Sequence, residues 1–206
     1  MQVSTSSRER VLNSVEQLFN TRGYTAVSMR DIADSLAMRQ ASLYYHVPEG
    51  KEQLYIEVAM RNLRRHQAGI NQAIAATRNR SLEVQLLAVS FWFMDNAPLR
   101  LLSMLETDMA ALSIRHAEYL IEQAYQTLFA PVATLFSEAQ KRGEIRAIDS
   151  VQLARYFLSL MDGISYCITS GFADTAMDVL IRDALDILLN GLHEQNAESL
   201  QVDSEQ

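Results

Sequence analysis

Cross-linking and turn-forming residues are scarce in this sequence, whose 206 residues include one cysteine, three prolines and seven glycines. A single cysteine cannot form an intramolecular disulfide, so we expect a reducing, cytoplasmic environment. The low glycine and proline content predicts long helices with few turns. The N-terminus lacks the apolar run of a signal peptide, and no uninterrupted apolar stretch reaches the roughly 18 residues of a membrane span. We therefore expect a soluble protein without a membrane partner.

Charge is divided unevenly along the chain. The formal net charge is -7 at pH 7, which by itself argues against a nucleic-acid partner. Residues 1–66, however, carry nine basic side chains against seven acidic ones, whereas the rest of the chain carries nine basic against eighteen acidic ones. An anionic partner is therefore expected to bind the first third of the chain.

Apolar residues recur at helical spacing along almost the whole chain, and no useful period-2 alternation occurs. In the first helix, Val11, Val15 and Phe19 fall on one stripe, and Gly23 follows as a left-handed cap. The predicted fold class is all-α. The predicted helices cover 6–22, a short segment opened by Ser28, 40–46, 51–77, 81–96, 99–112, 114–141, 150–170 and 174–192.

Pro131 lies inside the predicted helix over 114–141. There it removes a hydrogen bond to the carbonyl of Thr127 and crowds that carbonyl. Its position predicts either a kink that opens space for a ligand or a helix boundary without functional meaning.

Motifs of catalysis are missing. The glycines are scattered singly, so neither a phosphate-binding loop nor a dinucleotide fingerprint occurs, and the four histidines do not fall at metal-ligand spacing. Cys167 lies in a strongly apolar segment and is interpreted as a small buried hydrophobe. We expect no enzyme activity, no catalytic residues, no metal and no cofactor.

Residues 28–51 have the dimensions of a helix-turn-helix. The Ser28 hydroxyl can cap the first helix, while Asp31 three residues later can reach back to it. Ile32, Leu36 and Leu43 are expected to bury, which leaves the outward face of the second helix to read a major groove. That face is predicted to carry Gln40, Ala41, Ser42, Tyr44, Tyr45 and His46. The alternative for one of the two tyrosines is that it packs in the core.

The run VSMRDIADSLAMRQASLYYHVPEGKEQL closely resembles the N-terminal DNA-binding region of the TetR family of bacterial repressors, over roughly residues 8–60. The resemblance implies a three-helix DNA-binding head over 1–50 and a helical effector-binding and dimerisation body over 51–206. It also implies phosphate contacts from Ser28, Tyr44 and Lys51. Base-edge contacts are implied for Arg30 and Gln40, with Ala41, Ser42 and Tyr45 close by.

Three features depart from the family's usual pattern. Ala37 stands where the turn usually has glycine, which raises local strain if the position needs a positive φ. Arg39 replaces the serine that commonly caps the reading helix, and this cation at the positive helix end is expected to meet a phosphate or a guanine. The linker before Lys51 is one residue longer than usual, which makes the Lys51 contact the least secure of the set.

The helix after Asp149 is apolar on two faces and must be covered on both. One face includes Leu158 and Met161, the other Tyr156 and Cys167. The resemblance implies that this helix and the last one pair with their symmetry mates in a four-helix dimer interface. The alternative is a purely intramolecular core.

A ligand site is predicted in the aromatic and methionine-rich part of the body. Such residues are more often plain core, and only the resemblance favours a ligand site here. The acidic body favours a cationic or neutral lipophilic effector over an anion. The predicted ligand-binding residues are Trp92, Met104, Asp108, Tyr119, Tyr125 and Phe129.

Together these patterns predict a homodimeric transcriptional repressor that binds a palindromic, double-stranded DNA operator and leaves it when a small-molecule inducer enters the body. The alternative is an all-helical small-molecule-binding or adaptor protein with a vestigial DNA-binding head. An all-α enzyme is a third class, and it lacks a catalytic set.

Overall fold

The computed structural model describes residues 7–96 and 107–191, and within these ranges it contains helices and no strands. The predicted all-α fold is confirmed. In chain order the helices are α1 (Ser7–Arg22), α2 (Met29–Ser35), α3 (Gln40–His46), α4 (Gly50–Ala76), α5 (Leu82–Asp95), α6 (Ile114–Ala124), α7 (Ala130–Lys141), α8 (Ser150–Thr169) and α9 (Met177–Asn190). No helix in the described ranges is long and apolar enough to span a membrane.

Most predicted helix boundaries agree with the structure to within one or two residues. The helix predicted over 99–112 has residues 99–106 outside the described part of the chain, and of the remainder Met109–Ala111 form a short 3-10 turn. The last helix was predicted from Asp174 to Leu192, and its predicted start is wrong by three residues. It begins at Met177, and Gly191 ends it by taking a left-handed φ of 80°.

The head consists of α1, α2 and α3 packed against the first turns of α4. Leu43 is the only fully buried residue of α3, so this seven-residue helix is anchored by one side chain and cannot be stable on its own. An aromatic cluster closes the base of the head. Its ring centroids lie 5.2 Å apart between Phe19 and Tyr55 and 4.9 Å apart between Tyr24 and Tyr55.

The long helix α4 belongs to both parts of the molecule, because it packs on α1 in the head and on α5 and α6 in the body. At Gly69 the ring of Trp92 lies directly on the α4 backbone, so that a Cβ built there would lie 1.9 Å from the ring. α5 in turn packs against α7, α8 and α9, which places it at the centre of the body.

A π turn lies immediately before Pro131, which fits the predicted alternative of a helix boundary, and the ligand space expected from a kink stays a prediction. The widened turn covers Tyr125–Phe129, where the Ala130 N–H donates to the carbonyl of Tyr125, five residues back. Pro131 follows as the second residue of α7. Because proline has no N–H to donate to Thr127, the extra residue in the turn accommodates the lost bond.

Within the described residues, the chain covers one face of α8 and leaves much of the other exposed. Leu158 and Met161 are buried, whereas Tyr156 is 55% exposed. Cys167 is exposed as well, so its interpretation as a buried hydrophobe is wrong for the single chain. The apolar character of this segment reflects two faces, of which the described residues cover one.

Candidate nucleic-acid interface

The start of α2 is held by reciprocal hydrogen bonds between Ser28 and Asp31. The Asp31 N–H donates to Ser28 Oγ at 3.1 Å, and the Ser28 N–H donates to Asp31 Oδ2 at 2.8 Å. Arg22 at the end of α1 also donates to Asp31 at 3.0 Å. The Ser28 hydroxyl and amide, and then Arg22, hold the pKa of the Asp31 carboxyl far below its usual range. The predicted capping box is confirmed, and it fixes where α2 begins.

The turn between α2 and α3 depends on one residue in a left-handed conformation. Ala37 has a φ of 52°. Its N–H donates to Asp34 O at 3.1 Å, and the Met38 N–H donates to Ala33 O at 3.0 Å, which is the hydrogen-bond pattern of a Schellman motif. The position therefore requires the positive φ that glycine adopts without strain.

The outward face of α3 is free of intramolecular packing. Gln40, Ala41 and Ser42 are exposed. Tyr45 is 87% exposed and Tyr44 is 44% exposed, so neither tyrosine has the alternative role of a core residue. His46 is half-buried, with its ring edge-on to Tyr45 at 5.7 Å between centroids. The helix thus presents donors, acceptors and two rings to solvent.

Two arginines flank this surface. The Arg30 side chain is 84% exposed, and its only described ion pair is a loose 3.9 Å contact with Asp34, whose side chain is 73% exposed. Arg39 occupies the N-cap of α3 without a side-chain capping bond, as predicted. Both guanidinium groups therefore remain available to an anionic partner.

Lys51, at the start of α4, points inward. Its Nζ donates to the carbonyls of Tyr24 at 3.0 Å and Val27 at 2.9 Å and lies 4.0 Å from the centre of the Tyr24 ring. Burial lowers the pKa of the ammonium group, while Asp108 opposes that shift. An ammonium group has three N–H donors, so one remains for a phosphate. The predicted phosphate contact therefore stays a prediction, and the observed role is to hold the loop before α2.

Arg8 was missed by sequence reasoning, although it fixes the end of α3. It donates to the carbonyl oxygen of His46 and binds both Glu57 oxygens on α4 at 2.6 Å. The guanidinium thereby satisfies a terminal carbonyl of the reading helix. A second ion pair joins α1 to α4 through Glu16 and Arg65 at 2.9 Å.

The head is joined to the body by two further carboxylates. Buried Asp108 accepts from the Tyr24 N–H and the Tyr55 hydroxyl, each at 3.0 Å. Glu52 accepts from the amide and hydroxyl of Ser113 and contacts His116 Nδ1 at 2.7 Å. These bonds, led by that from the Ser113 hydroxyl, lower the pKa of Glu52 to about 2.

The predicted ligand site stays a prediction, and its described residues lie in several places. Met104 lies outside the described residues. Asp108 is occupied at the head–body junction, and Trp92 packs on Gly69. Tyr125 and Phe129 stack on each other along the π turn, with centroids 6.5 Å apart. Of the described members, only Tyr119 lines the groove of about 580 Å³ between α1, α4 and α6.

Within the described part of the chain, no cluster of three or more histidine, cysteine or acidic side chains has the geometry of a metal site. The described geometry is that of a capped helix-turn-helix, with an exposed second helix, mounted on an all-helical body. This class of protein presents its second helix to the major groove of DNA.

Comparison with known proteins agrees with this class. Residues 11–58 match the family described as "Bacterial regulatory proteins, tetR family". The HTH-type transcriptional regulator LmrA of Bacillus subtilis (strain 168) is 43% identical over 51 residues, which are 25% of this chain and 27% of LmrA. The match therefore spans about a quarter of the length of the curated relatives. The similarity to this family is thus established for residues 11–58, and the rest of the chain lies outside the matched region.

The fold of the body is shared with solved regulators. The TetR family transcriptional regulator PfmR from Thermus thermophilus superposes with a TM-score of 0.69 at 22% identity, over 89% of this chain and 99% of PfmR. AibR, solved in complex with isovaleryl coenzyme A and operator DNA, gives a TM-score of 0.69 at 19% identity, over 89% of this chain and 98% of AibR. At these identities the likeness establishes the fold alone.

The left-handed Ala37 predicts an unusual response to glycine. Ala37→Gly should raise the free energy of unfolding by about 1 kcal/mol, because glycine adopts positive φ without the Cβ clash. Ala41→Gly is the matched control. It lies in α3 with a helical backbone and should lower stability by about 0.5 to 1 kcal/mol. Urea denaturation of both variants measures the difference, and a loss of stability in Ala37→Gly would contradict the strained turn.

Proposed function

We propose that this chain is a TetR-type transcriptional regulator acting as a repressor in the cytoplasm. In this proposal it binds a palindromic operator as a homodimer and is released by a small-molecule inducer. The observation that carries the proposal is the exposed face of α3, held in place by the capping box of α2, by Leu43 and by Arg8. Reading a major groove requires a helix whose inner face is held by the rest of the domain and whose outer face is exposed to solvent.

The predicted contacts divide into two kinds. Arg30 and Gln40 are exposed and have the donors that read base edges, since arginine pairs with guanine and glutamine with adenine. Tyr44 and Ser28 are proposed to contact phosphates, which position the protein without reading sequence. Ser28 also belongs to the capping box, so its removal would damage the head as well as the contact.

A mobility-shift assay with the DNA upstream of the protein's own reading frame tests the proposal directly. A specific complex that survives excess random DNA supports a repressor of this type. No specific complex with that DNA, alongside tight binding of a small molecule, would favour the alternative of a binding protein with a vestigial head.

Substitutions on the reading surface should separate base readers from phosphate contacts. Arg30→Ala and Gln40→Ala should each cost about 1 to 3 kcal/mol at the operator and relax base preference. Tyr44→Phe should weaken operator and random DNA alike, because a phosphate contact carries no sequence information. Arg80→Ala, exposed in the turn after α4, is the control and should leave both affinities unchanged. If Arg30→Ala loses the same binding free energy on operator and random DNA, Arg30 does not contact base edges.

The proposed dimer interface lies on α8 and α9. Tyr156, Tyr166 and Phe172 are 55%, 63% and 75% exposed in the single chain, and Val179 on α9 is 41% exposed. Exposed apolar area of this extent along two neighbouring helices is typical of a surface that another subunit covers. Met161 is only 2% exposed and packs inside the chain, so a Met161→Glu variant would test folding rather than dimerisation.

Tyr156→Glu should shift the sedimentation mass toward the monomer, because an unpaired carboxylate is costly to bury in an interface. Tyr119→Glu is the matched control, since Tyr119 is a 44% exposed tyrosine on α6. Cys167, the single cysteine of the chain, provides a second measurement, because maleimide should label it more slowly in the dimer than in Tyr156→Glu. An unchanged dimer mass and labelling rate in Tyr156→Glu would place the interface elsewhere.

A further inference from the structure

The groove between α1, α4 and α6 is large enough for a small organic molecule. Its volume of about 580 Å³ lies within the usual range of ligand sites, roughly 300 to 1,000 Å³. Leu12 comes from α1, Ile56 and Met60 from α4, and Tyr119 from α6. Because its walls come from both head and body, an occupant would contact the two parts at once.

Cationic side chains dominate the polar part of this groove. Arg61, Arg64 and Arg115 line it, and Glu57 is its only lining carboxylate. Glu57 is already bound on both oxygens by Arg8. The local charge is therefore positive, although the body as a whole is acidic.

The three arginines differ in how far they are already paired. Arg61 lies 3.9 Å from Glu16, whose closer partner is Arg65, and Arg61 Nη1 is buried with no hydrogen-bond partner in the described part of the chain. Arg64 and Arg115 are exposed, and no described carboxylate lies within ion-pair distance of either. The groove thus retains guanidinium donors suited to a carboxylate or a phosphate.

Operator phosphates are a poor match for these arginines. Arg64 lies fourteen residues after Gly50, which is about 20 Å along α4 from the end next to the reading helix. The groove that it lines also contains apolar side chains, including Ile56 and Met60. An occupant that combines an apolar portion with a negative charge fits both features.

We propose that this groove binds a small organic anion whose apolar portion packs on Leu12, Met60 and Tyr119 and whose carboxylate or phosphate binds Arg64 and Arg115. The anion-binding site stands independently of DNA recognition, and only its assignment as the effector site rests on the proposed function. The local cation cluster reverses the expectation of a cationic or neutral effector that net charge suggested. An anion there would bridge α1 of the head to α6 of the body.

Isothermal titration calorimetry on the full chain with three isosteric probes tests the site. Phenylbutyrate should bind at least about tenfold more tightly than phenylbutanol or phenylbutylamine, because only the carboxylate gains charge-assisted hydrogen bonds. Arg64→Ala and Arg115→Ala should each lower the affinity for phenylbutyrate by about 5- to 10-fold. Arg80→Ala, an exposed arginine that does not line the groove, should bind the probe like the wild type.

Three outcomes would overturn the proposal: no heat with phenylbutyrate at millimolar concentration, equal affinity for the three probes, or unchanged affinity in both groove variants. A loss of operator binding by Arg64→Ala and Arg115→Ala without any probe, as large as that of Arg30→Ala, would also overturn it by assigning the arginines to DNA. The mobility-shift assay runs in parallel. If the chain binds phenylbutyrate but no operator, the proposed repressor function is refuted and the proposed anion site is not. If it binds the operator but no phenylbutyrate, only the proposed anion site is refuted.

Discussion

Asp108 is the contact on which the arrangement of head and body depends. Its two oxygens accept from the backbone of Tyr24, in the loop after α1, and from the hydroxyl of Tyr55 on α4. The carboxylate is buried, so losing it would leave two buried donors unsatisfied at about 1 to 3 kcal/mol each. Lys51 Nζ donates to the carbonyl of the same Tyr24. Both the backbone N–H and the backbone carbonyl of Tyr24 are therefore hydrogen-bonded to side chains.

Attachment of the head to the body through Asp108 and Glu52 explains how events in the body could reach DNA in the proposed repressor. Operator half-sites require the two reading helices about 34 to 36 Å apart or at a multiple of that helical turn. The two heads can be arranged so that they fit the operator or so that they do not. An effector can release DNA only if it binds the second arrangement more tightly than the first. The junction of α1, α4 and α6 is suited to this role, since a groove occupant would bear on both head and body.

Local signals predicted the head well. The capping box of Ser28 and the strained turn at Ala37 both depend on residues within a few positions of each other, and the sequence displays them directly. Long-range pairs could not be found in this way. Asp108 meets Tyr24 across 84 residues, and Arg8 meets Glu57 across 49.

The sequence could not predict which apolar surfaces the chain itself buries. The periodicity of α8 showed two apolar faces but not which of them the chain itself would cover, and this is why Cys167 was assigned to the wrong environment. Net charge has a related limit as a guide to the effector, because a total over the body says nothing about the three arginines gathered at one groove.

Hydrogen exchange at the Tyr24 amide tests the Asp108 junction most directly. This amide lies outside α1 and donates to the Asp108 carboxylate, so the account predicts that it is protected in the wild type and exchanges about tenfold faster or more in Asp108→Ala. The neighbouring Gly23 amide, which donates to the Phe19 carbonyl at 2.9 Å, serves as an internal reference and should change little. An unprotected Tyr24 amide in the wild type, or an unchanged rate in the variant, would contradict a head held by Asp108.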